Sequence, residues 1–228
     1  APVPFATLPS GNENLFAREF GFKRNGKLLA QAIGTGRIRR IDLARVGDRL
    51  FSLMLSVGLD AEVVHRVVAW RTNGPALRRV NRLSYAKPIV GALRSYRYGR
   101  LELEADGERV SGTHAFVFNL PQYGFQLPFA PYARGDDGRL DWLVFDYSGL
   151  FGALGHFLSL VRVKHLSRSG VYHGQARRVR IAVPVGPRPL SVSDQTTPAA
   201  SRNPSSCPAR ATGRTVFSAS RSARPTQA

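Results

Sequence analysis

Arg100-Leu-Glu-Leu-Glu-Ala-Asp-Gly-Glu-Arg-Val-Ser-Gly-Thr-His-Ala-Phe-Val-Phe-Asn119 is the stretch on which the fold turns. Leu101, Leu103 and Ala105 alternate with Glu102 and Glu104, the period of a strand with one buried face. Asp106-Gly107 is a two-residue hairpin signal, because both residue types tolerate positive φ, and a second strand candidate follows it. His114 to Asn119 reads as a third strand and Arg139 to Phe145 as a fourth, with the loop Pro121 to Gly138 between them. Leu150 to Val161 has the character of an apolar helix, and Arg177 to Val185 that of a final strand. Upstream, Arg39 to Val46 and Leu50 to Val57 read as strands around a turn at Gly47-Asp48. Leu59 to Trp70 has helical spacing, and Tyr85 to Tyr96 forms a second helix. The sum is an α+β chain whose main body, residues 38–192, is a mainly antiparallel β-sandwich with a few helices.

The two ends differ from this body. Val3 to Leu8 is short, apolar and bounded by Pro, which suits a buried strand end. Ser10-Gly-Asn-Glu then gives a turn, and a helical run from Glu13 to Phe20 stops at Gly21. Strand, Gly-containing turn and helix is the local geometry that presents backbone N–H groups to a phosphate. The opening Ala1-Pro-Val-Pro carries no initiator Met and no charged-then-apolar leader, and reads as a chain that begins within a domain. From Ser193 onward Ser, Thr, Pro, Ala and Arg dominate, and residues 193–228 are expected to be an unpacked, disordered or aberrant tail, too poor in apolar surface to offset its ordering entropy. Loss of strand character just where a strand is due suggests a divergent tail or an altered reading frame.

Composition bounds the chemistry. Of 228 residues, 43% are hydrophobic, enough for a sizeable core. Lys and Arg number 33 against 15 Asp and Glu, a formal charge of +18, of which the tail from Ser193 carries +4 and the rest +14. Such a balance favours anionic partners: phosphate groups, nucleic acid or anionic lipid surfaces. The single cysteine, Cys207, excludes an intramolecular disulfide and a multi-thiolate metal site. The five histidines show no HExxH or comparable ligand spacing, which argues against a zinc enzyme. No apolar run is long enough to span a membrane.

Three collinear segments carry a resemblance to a known superfamily. Leu8-Pro-Ser-Gly-Asn-Glu-Asn-Leu-Phe-Ala-Arg is similar to the Pro-x-Gly-Thr-x-Asn-x-Phe-Ala segment of the diacylglycerol kinase and sphingosine kinase superfamily, in its bacterial lipid-kinase branch. Asn12 stands here where that family usually has Thr. Ile41-Asp-Leu through Ser56-Val-Gly-Leu-Asp-Ala-Glu-Val-Val resembles the passage in which a strand ends in Gly-Phe-Asp-Ala and enters a helix, which Asp60 would cap. Asn119, followed by Ala130-Pro-Tyr-Ala-Arg-Gly-Asp-Asp-Gly-Arg-Leu-Asp, resembles the family's Pro-x-Ala-x-x-x-Asp-Gly-x-Leu. The match spans roughly Pro4 to Val185.

The resemblance implies an ATP-dependent kinase that phosphorylates a lipid hydroxyl, diacylglycerol or a relative, with ATP and Mg2+ as cofactors. Gly11, Asn12 and Asn14 would lie against the nucleotide phosphates, and residues 1–37 would be the remnant of an α/β nucleotide-binding domain. Asp137, with the carbonyls of Arg134 and Arg139, would hold a structural magnesium, a donor mix that hard cations accept; the plain alternative is an Asp-Gly turn between strands. The family's Gly-Gly-Asp-Gly-Thr loop does not occur in these residues, and Asp194 is the sole acid near the place of the family's late-strand general base. No catalytic residue is therefore assigned, and little or no turnover is expected of this chain alone. A cytoplasmic protein, peripheral at the inner face of the membrane, is the implied location. The alternative is a basic non-catalytic module on anionic membrane lipid, supported by the charge and by Arg94-Ser-Tyr-Arg-Tyr-Gly-Arg. No nucleic-acid-binding motif is present, so nucleic acid is not an expected partner. A third possibility is a kinase of another small molecule, as in the distantly related NAD kinases.

Overall fold

A computed structural model describes residues 4–11, 13–47, 49–72, 85–96, 99–183, 192–194 and 215–221. The alternating stretch pairs as its sequence dictates. Strand β4 (Leu101–Ala105) and β5 (Glu108–Gly112) form a hairpin with Ala105 opposite Glu108. Asp106 and Gly107 take φ of 47° and 101° at the turn, and the Asp106 carboxylate ties it down by accepting the backbone N–H groups of Arg177 and Arg178 at 2.8 and 3.0 Å. The remaining strands are β1 (Ala44–Val46), β2 (Arg49–Phe51), β3 (Met54–Val57), β6 (His114–Phe118), β7 (Leu140–Phe145), β8 (Val171–Ala176), β9 (Arg178–Val183), β10 (Val192–Asp194) and β11 (Thr215–Arg221). They make two antiparallel sheets, β2-β1-β11-β9-β4-β5 and β10-β3-β6-β7-β8.

Among the described residues five α-helices flank them: α1 (Leu15–Glu19), α2 (Gly26–Gly34), α3 (Leu59–Thr72), α4 (Ala86–Ser95) and α5 (Gly149–Val161). The sheets pack face to face over a core that includes Phe51, Leu55, Val57, Leu101, Leu103, Val117, Trp142, Val144, Val179 and Ile181. The five-stranded sheet is buried on its other face too. There Met54, Phe116, Phe118, Leu143 and Phe145 pack against Leu15 of α1, Leu160 of α5 and Phe129, Ala130 and Ala133 of the β6–β7 loop. Strands β3, β6 and β7 are consequently buried at every residue, which turns their sequences into near-continuous apolar runs rather than alternating ones.

The α+β sandwich is as expected; helix α2 and strand β8 were not foreseen, and further details differ. Residues 4–10 form no strand, so the opening is a turn and a short helix. The segment from Arg39 holds only the three-residue β1, and Leu50 to Val57 splits into β2 and β3. Gly47 turns at φ 59° between β1 and β2, while Asp48 lies outside the described residues. The tail is the main correction. Val192–Asp194 pairs with β3, and Thr215–Arg221 lies inside the six-stranded sheet between β1 and β9, Phe217 opposite Ile181. Thr215-Val-Phe supplies the β-branched and aromatic residues that favour strands, and pairing on both sides gives its backbone groups partners that the local composition does not advertise.

Candidate functional site

The β6–β7 loop, Pro121 to Gly138, holds no regular structure beyond the single 3-10 turn Gly124–Gln126, and loops of that length are commonly functional. Both of its halves are tied to the opening segment. In the first half, Gln122 Nε2 donates to Glu19 Oε2 of α1 at 3.0 Å. In the second, Asp42 N–H donates to the Gly135 carbonyl at 2.6 Å, and Asp42 Oδ2 accepts the Gly138 N–H at 2.9 Å. Asn119, fully buried at the end of β6, donates through Nδ2 to the carbonyls of Asp42 and Ser52 at 3.0 and 2.7 Å. Its Oδ1 is buried without a hydrogen-bond partner among the described residues.

Between α1 and the loop lies an open pocket of about 400 Å³, lined by Arg18 of α1 and by Pro121, Gln122, Tyr123, Gln126, Leu127, Pro128 and Pro131. Phe125 and Gln126 on its rim both take left-handed backbone, φ 58° and 61°. Each non-glycine residue held so costs on the order of 1 kcal/mol or more and persists where its surroundings over-determine it. Below the pocket the Tyr123 hydroxyl donates to Asp60 Oδ1, and Ser56 Oγ donates to Asp60 Oδ2 at 2.5 Å. Burial pushes the Asp60 carboxyl above its usual range, with the two hydroxyl donors opposing that shift. Burial, reinforced by the charge of Asp60, raises Tyr123 well above 10. Asp60 is thus an acceptor of two side-chain hydroxyls as well as the second residue of α3. Gly58 makes the sharp turn from β3 into α3 at φ 119°, where a Cβ would stand 3.0 Å from the Thr113 carbonyl.

A second polar group sits under α5. His114, Tyr147 and His156 stack in series, with centroids 4.4 and 4.7 Å apart. Burial, and for His114 the nearby His156, lowers His114 to about 3. Burial and the charge of Arg168 lower His156 to about 4. His165 is also lowered by burial, while its Nε2 contact of 2.8 Å with the Phe129 carbonyl ties the short helix after α5 to the β6–β7 loop. All three imidazoles are therefore neutral at neutral pH.

The residues singled out in the sequence fall into two local pairs. Asn14 Oδ1 accepts the Gly11 N–H at 2.8 Å and Asn14 Nδ2 donates to the Gly11 carbonyl at 2.5 Å, so side chain and turn close on each other. Asn14 sits at φ 49°, which Asn tolerates better than most residues; Asn12 lies outside the described residues. On the β6–β7 loop, Asp137 Oδ1 accepts the Arg139 N–H at 2.9 Å, Gly138 turns at φ 75°, and the Arg134 side chain pairs with Asp136 at 3.3 Å. Asp194 lies on β10 opposite Leu55. Arg18, Tyr123 and Asp42 were not legible as site residues, and Asp60 was legible only as a cap.

Set beside known structures, this arrangement is a sandwich fold shared with solved proteins assigned as diacylglycerol kinases. A crystal structure of a Bacillus anthracis (strain Sterne) protein assigned as a diacylglycerol kinase superposes with a TM-score of 0.64 at 17% identity, over 96% of this chain and 66% of that one. A further structure, of a diacylglycerol kinase from the same strain, gives 0.60 at 17% identity over 94% and 64%. At such identity the likeness is one of fold. In sequence, residues 54–200 match the family described as the YegS C-terminal NAD kinase beta sandwich-like domain, and the chain belongs to that family. The probable lipid kinase YegS-like of Chromohalobacter salexigens is 30% identical over 167 residues, covering 70% of this chain and 47% of the relative. The chain therefore spans about half the length of that curated relative and about two thirds of the solved ones. No helix among the described residues is long and apolar enough to cross a membrane.

Proposed function

We propose that this chain is the substrate-facing sandwich of an ATP-dependent lipid kinase that phosphorylates a lipid hydroxyl, diacylglycerol or a relative, and that these 228 residues alone do not turn over. The observation that carries the reading is the pocket between α1 and the β6–β7 loop, with Arg18 on its wall and the Tyr123–Asp60–Ser56 chain beneath it. Arg18 offers a cation to a phosphate group, and Pro121, Leu127, Pro128 and Pro131 offer apolar wall to a lipid. Asp60 and Tyr123 hold the pocket floor and shape where the hydroxyl would lie.

Gly11, Asn12 and Asn14 are the residues proposed to meet the nucleotide. For the first and last of these to do so, the Asn14–Gly11 pair must open and release the Gly11 N–H to a phosphate oxygen. Asp137, with the carbonyls of Arg134 and Arg139, is proposed to hold magnesium. The fit in kind is good: carboxylate and carbonyl oxygens suit a hard cation. When bound, the ion supplies charge that stiffens the loop. Phosphoryl transfer is mostly positioning and charge stabilisation, and these residues include no Gly-Gly-Asp-Gly-Thr loop to position ATP.

The test has two arms, both following labelled γ-phosphate from ATP to diacylglycerol in mixed micelles with magnesium. The chain alone is expected to match a no-protein control. The chain joined behind the amino-terminal part of the Chromohalobacter relative is expected to transfer phosphate. A fusion that unfolds cooperatively yet stays silent, beside an active relative, overturns the kinase reading; turnover by the chain alone overturns the assignment of the nucleotide residues.

A further inference from the structure

Helix α5 is built the wrong way round for a surface helix. Its buried residues, His156 and Leu160, lie one turn apart and face the sheet. Leu150, Leu154, Phe157, Leu158 and Val161 form the opposite stripe, spaced i, i+4, i+7, i+8 and i+11, and Phe151 lies beside it. These six large apolar side chains are all at least 42% exposed, and Phe151 reaches 89%. A contiguous outward apolar stripe of this kind marks a surface that meets something other than water.

The charge around it identifies the partner. From Tyr147 to Gly170, through α5 and the chain leading out of it, there is not one Asp or Glu. The three cations in that stretch follow α5 directly: Arg162, Lys164 and Arg168, all exposed. Arg168 lies against the helix itself, its Nη2 2.7 Å from where a Cβ on residue 155 would be, so Gly155 makes room for a cation at the flank of the apolar stripe.

We propose that α5 is a membrane-docking helix, which sinks its outward stripe into the headgroup–acyl boundary of an anionic bilayer while Arg162, Lys164 and Arg168 meet lipid phosphates. A second copy of the chain would bring one basic flank against another, and a neutral apolar partner would leave the cations unmatched. An anionic bilayer matches the apolar stripe and its basic flank together. The proposal deepens the lipid-kinase reading, since a kinase of membrane lipid must reach its substrate in a bilayer, but its observations are separate from the pocket's.

Sedimentation of the chain with vesicles, without ATP or diacylglycerol, tests it independently of catalysis. Binding is expected to vesicles of phosphatidylcholine mixed with phosphatidylglycerol, and much less to phosphatidylcholine alone. Phe151→Ser with Phe157→Ser should weaken the partition at least about ten-fold, given the area each ring buries, with Tm unchanged because both rings are exposed. Arg162→Gln with Lys164→Gln should weaken binding mainly at low salt. Undiminished binding by the Phe151/Phe157 variant overturns the proposal. So does the same variant converting a dimer to a monomer without loss of vesicle binding, which would make the stripe a contact between copies. A silent kinase fusion with intact, stripe-dependent vesicle binding would remove the catalytic reading and leave this one standing.

Discussion

Leu55, Val117, Trp142 and Val144 point from the five-stranded sheet into the sandwich; Met54, Phe116, Phe118, Leu143 and Phe145, their neighbours along the same strands, point the other way. Both faces are buried, yet they are made differently. Apart from Phe51 and Trp142 the inner core is aliphatic and meets another sheet. The outer face is a network of rings, in which Phe129 lies within 4.3–6.1 Å of Phe116, Phe118, Tyr123 and Phe145. It meets irregular chain and helices, and polar groups lie along with it: His114, His156 and His165 buried and Asp60 half-buried. Buried polar groups each carry a desolvation cost that an apolar replacement would avoid. Their concentration on one face separates the side that holds the fold from the side that carries the candidate site.

Substitutions can break or sharpen that contrast, and the largest effect belongs to the inner face. Trp142, 1% exposed, is the largest of the fully buried side chains. Trp142→Ala should cost about 3–5 kcal/mol in denaturant unfolding; a loss near that of an exposed residue would mean the sandwich core is elsewhere. On the outer face, Asp60→Ala leaves the Tyr123 and Ser56 hydroxyls without their acceptor and should cost about 1–3 kcal/mol. Asp60→Asn keeps a carbonyl acceptor and removes a buried charge, so it should cost less than Asp60→Ala at neutral pH. Equal losses from the two would show that the carboxylate's charge, rather than its acceptor oxygens, is what the site needs.

The buried imidazoles give a smaller, pH-dependent effect with a definite sign. His114 is lowered from 6.5 to about 3, so the unfolded chain takes up a proton near pH 6.5 while the folded chain does not. The stability it contributes is present above pH 6.5 and is lost as pH falls towards about 3, at up to about 1.4 kcal/mol per pH unit. His114→Gln should reduce the slope of stability between pH 6.5 and about 5, above the range in which ordinary carboxylates titrate, leaving the part that His156 and His165 contribute. An unchanged slope in thermal melts across that interval would mean that His114 is already solvated. The smallest effect is expected at the proposed metal loop. Asp137 is exposed, so Asp137→Asn should leave Tm unchanged without magnesium and abolish any magnesium-dependent rise. A retained rise would reduce the loop to a plain turn.

The β4–β5 hairpin was legible because its pairing is local. Leu101 to Ala105 alternates, Asp106-Gly107 turns, and β5 returns against β4 at once. Strand β8 was not legible: Val171-Tyr-His-Gly-Gln-Ala has no clean alternation and a central Gly174. That glycine answers a distant demand, since a Cβ there would stand 2.8 Å from Cζ2 of Trp142 on the neighbouring strand. Strand β11 fails for the same reason on a larger scale, since it pairs with β1 and β9 far off in sequence while its flanks are rich in Ser, Pro and Arg. In the site, the Gly11–Asn14 turn and the Asp137 turn were legible because each closes within three residues. The Tyr123–Asp60 contact spans 63 residues, and no local pattern announces it.

The division of labour between the two faces is tested most directly by kcat/KM for diacylglycerol in the kinase fusion carrying Tyr123→Phe, with Tm recorded on the same sample. The hydroxyl lost is the one that Asp60 accepts below the pocket. A fall of about ten-fold or more in kcat/KM is expected, while Tm moves far less than with Trp142→Ala in the same fusion. An unchanged kcat/KM, with Tm falling as far as it does for Trp142→Ala, would contradict it and make the outer face a second structural core.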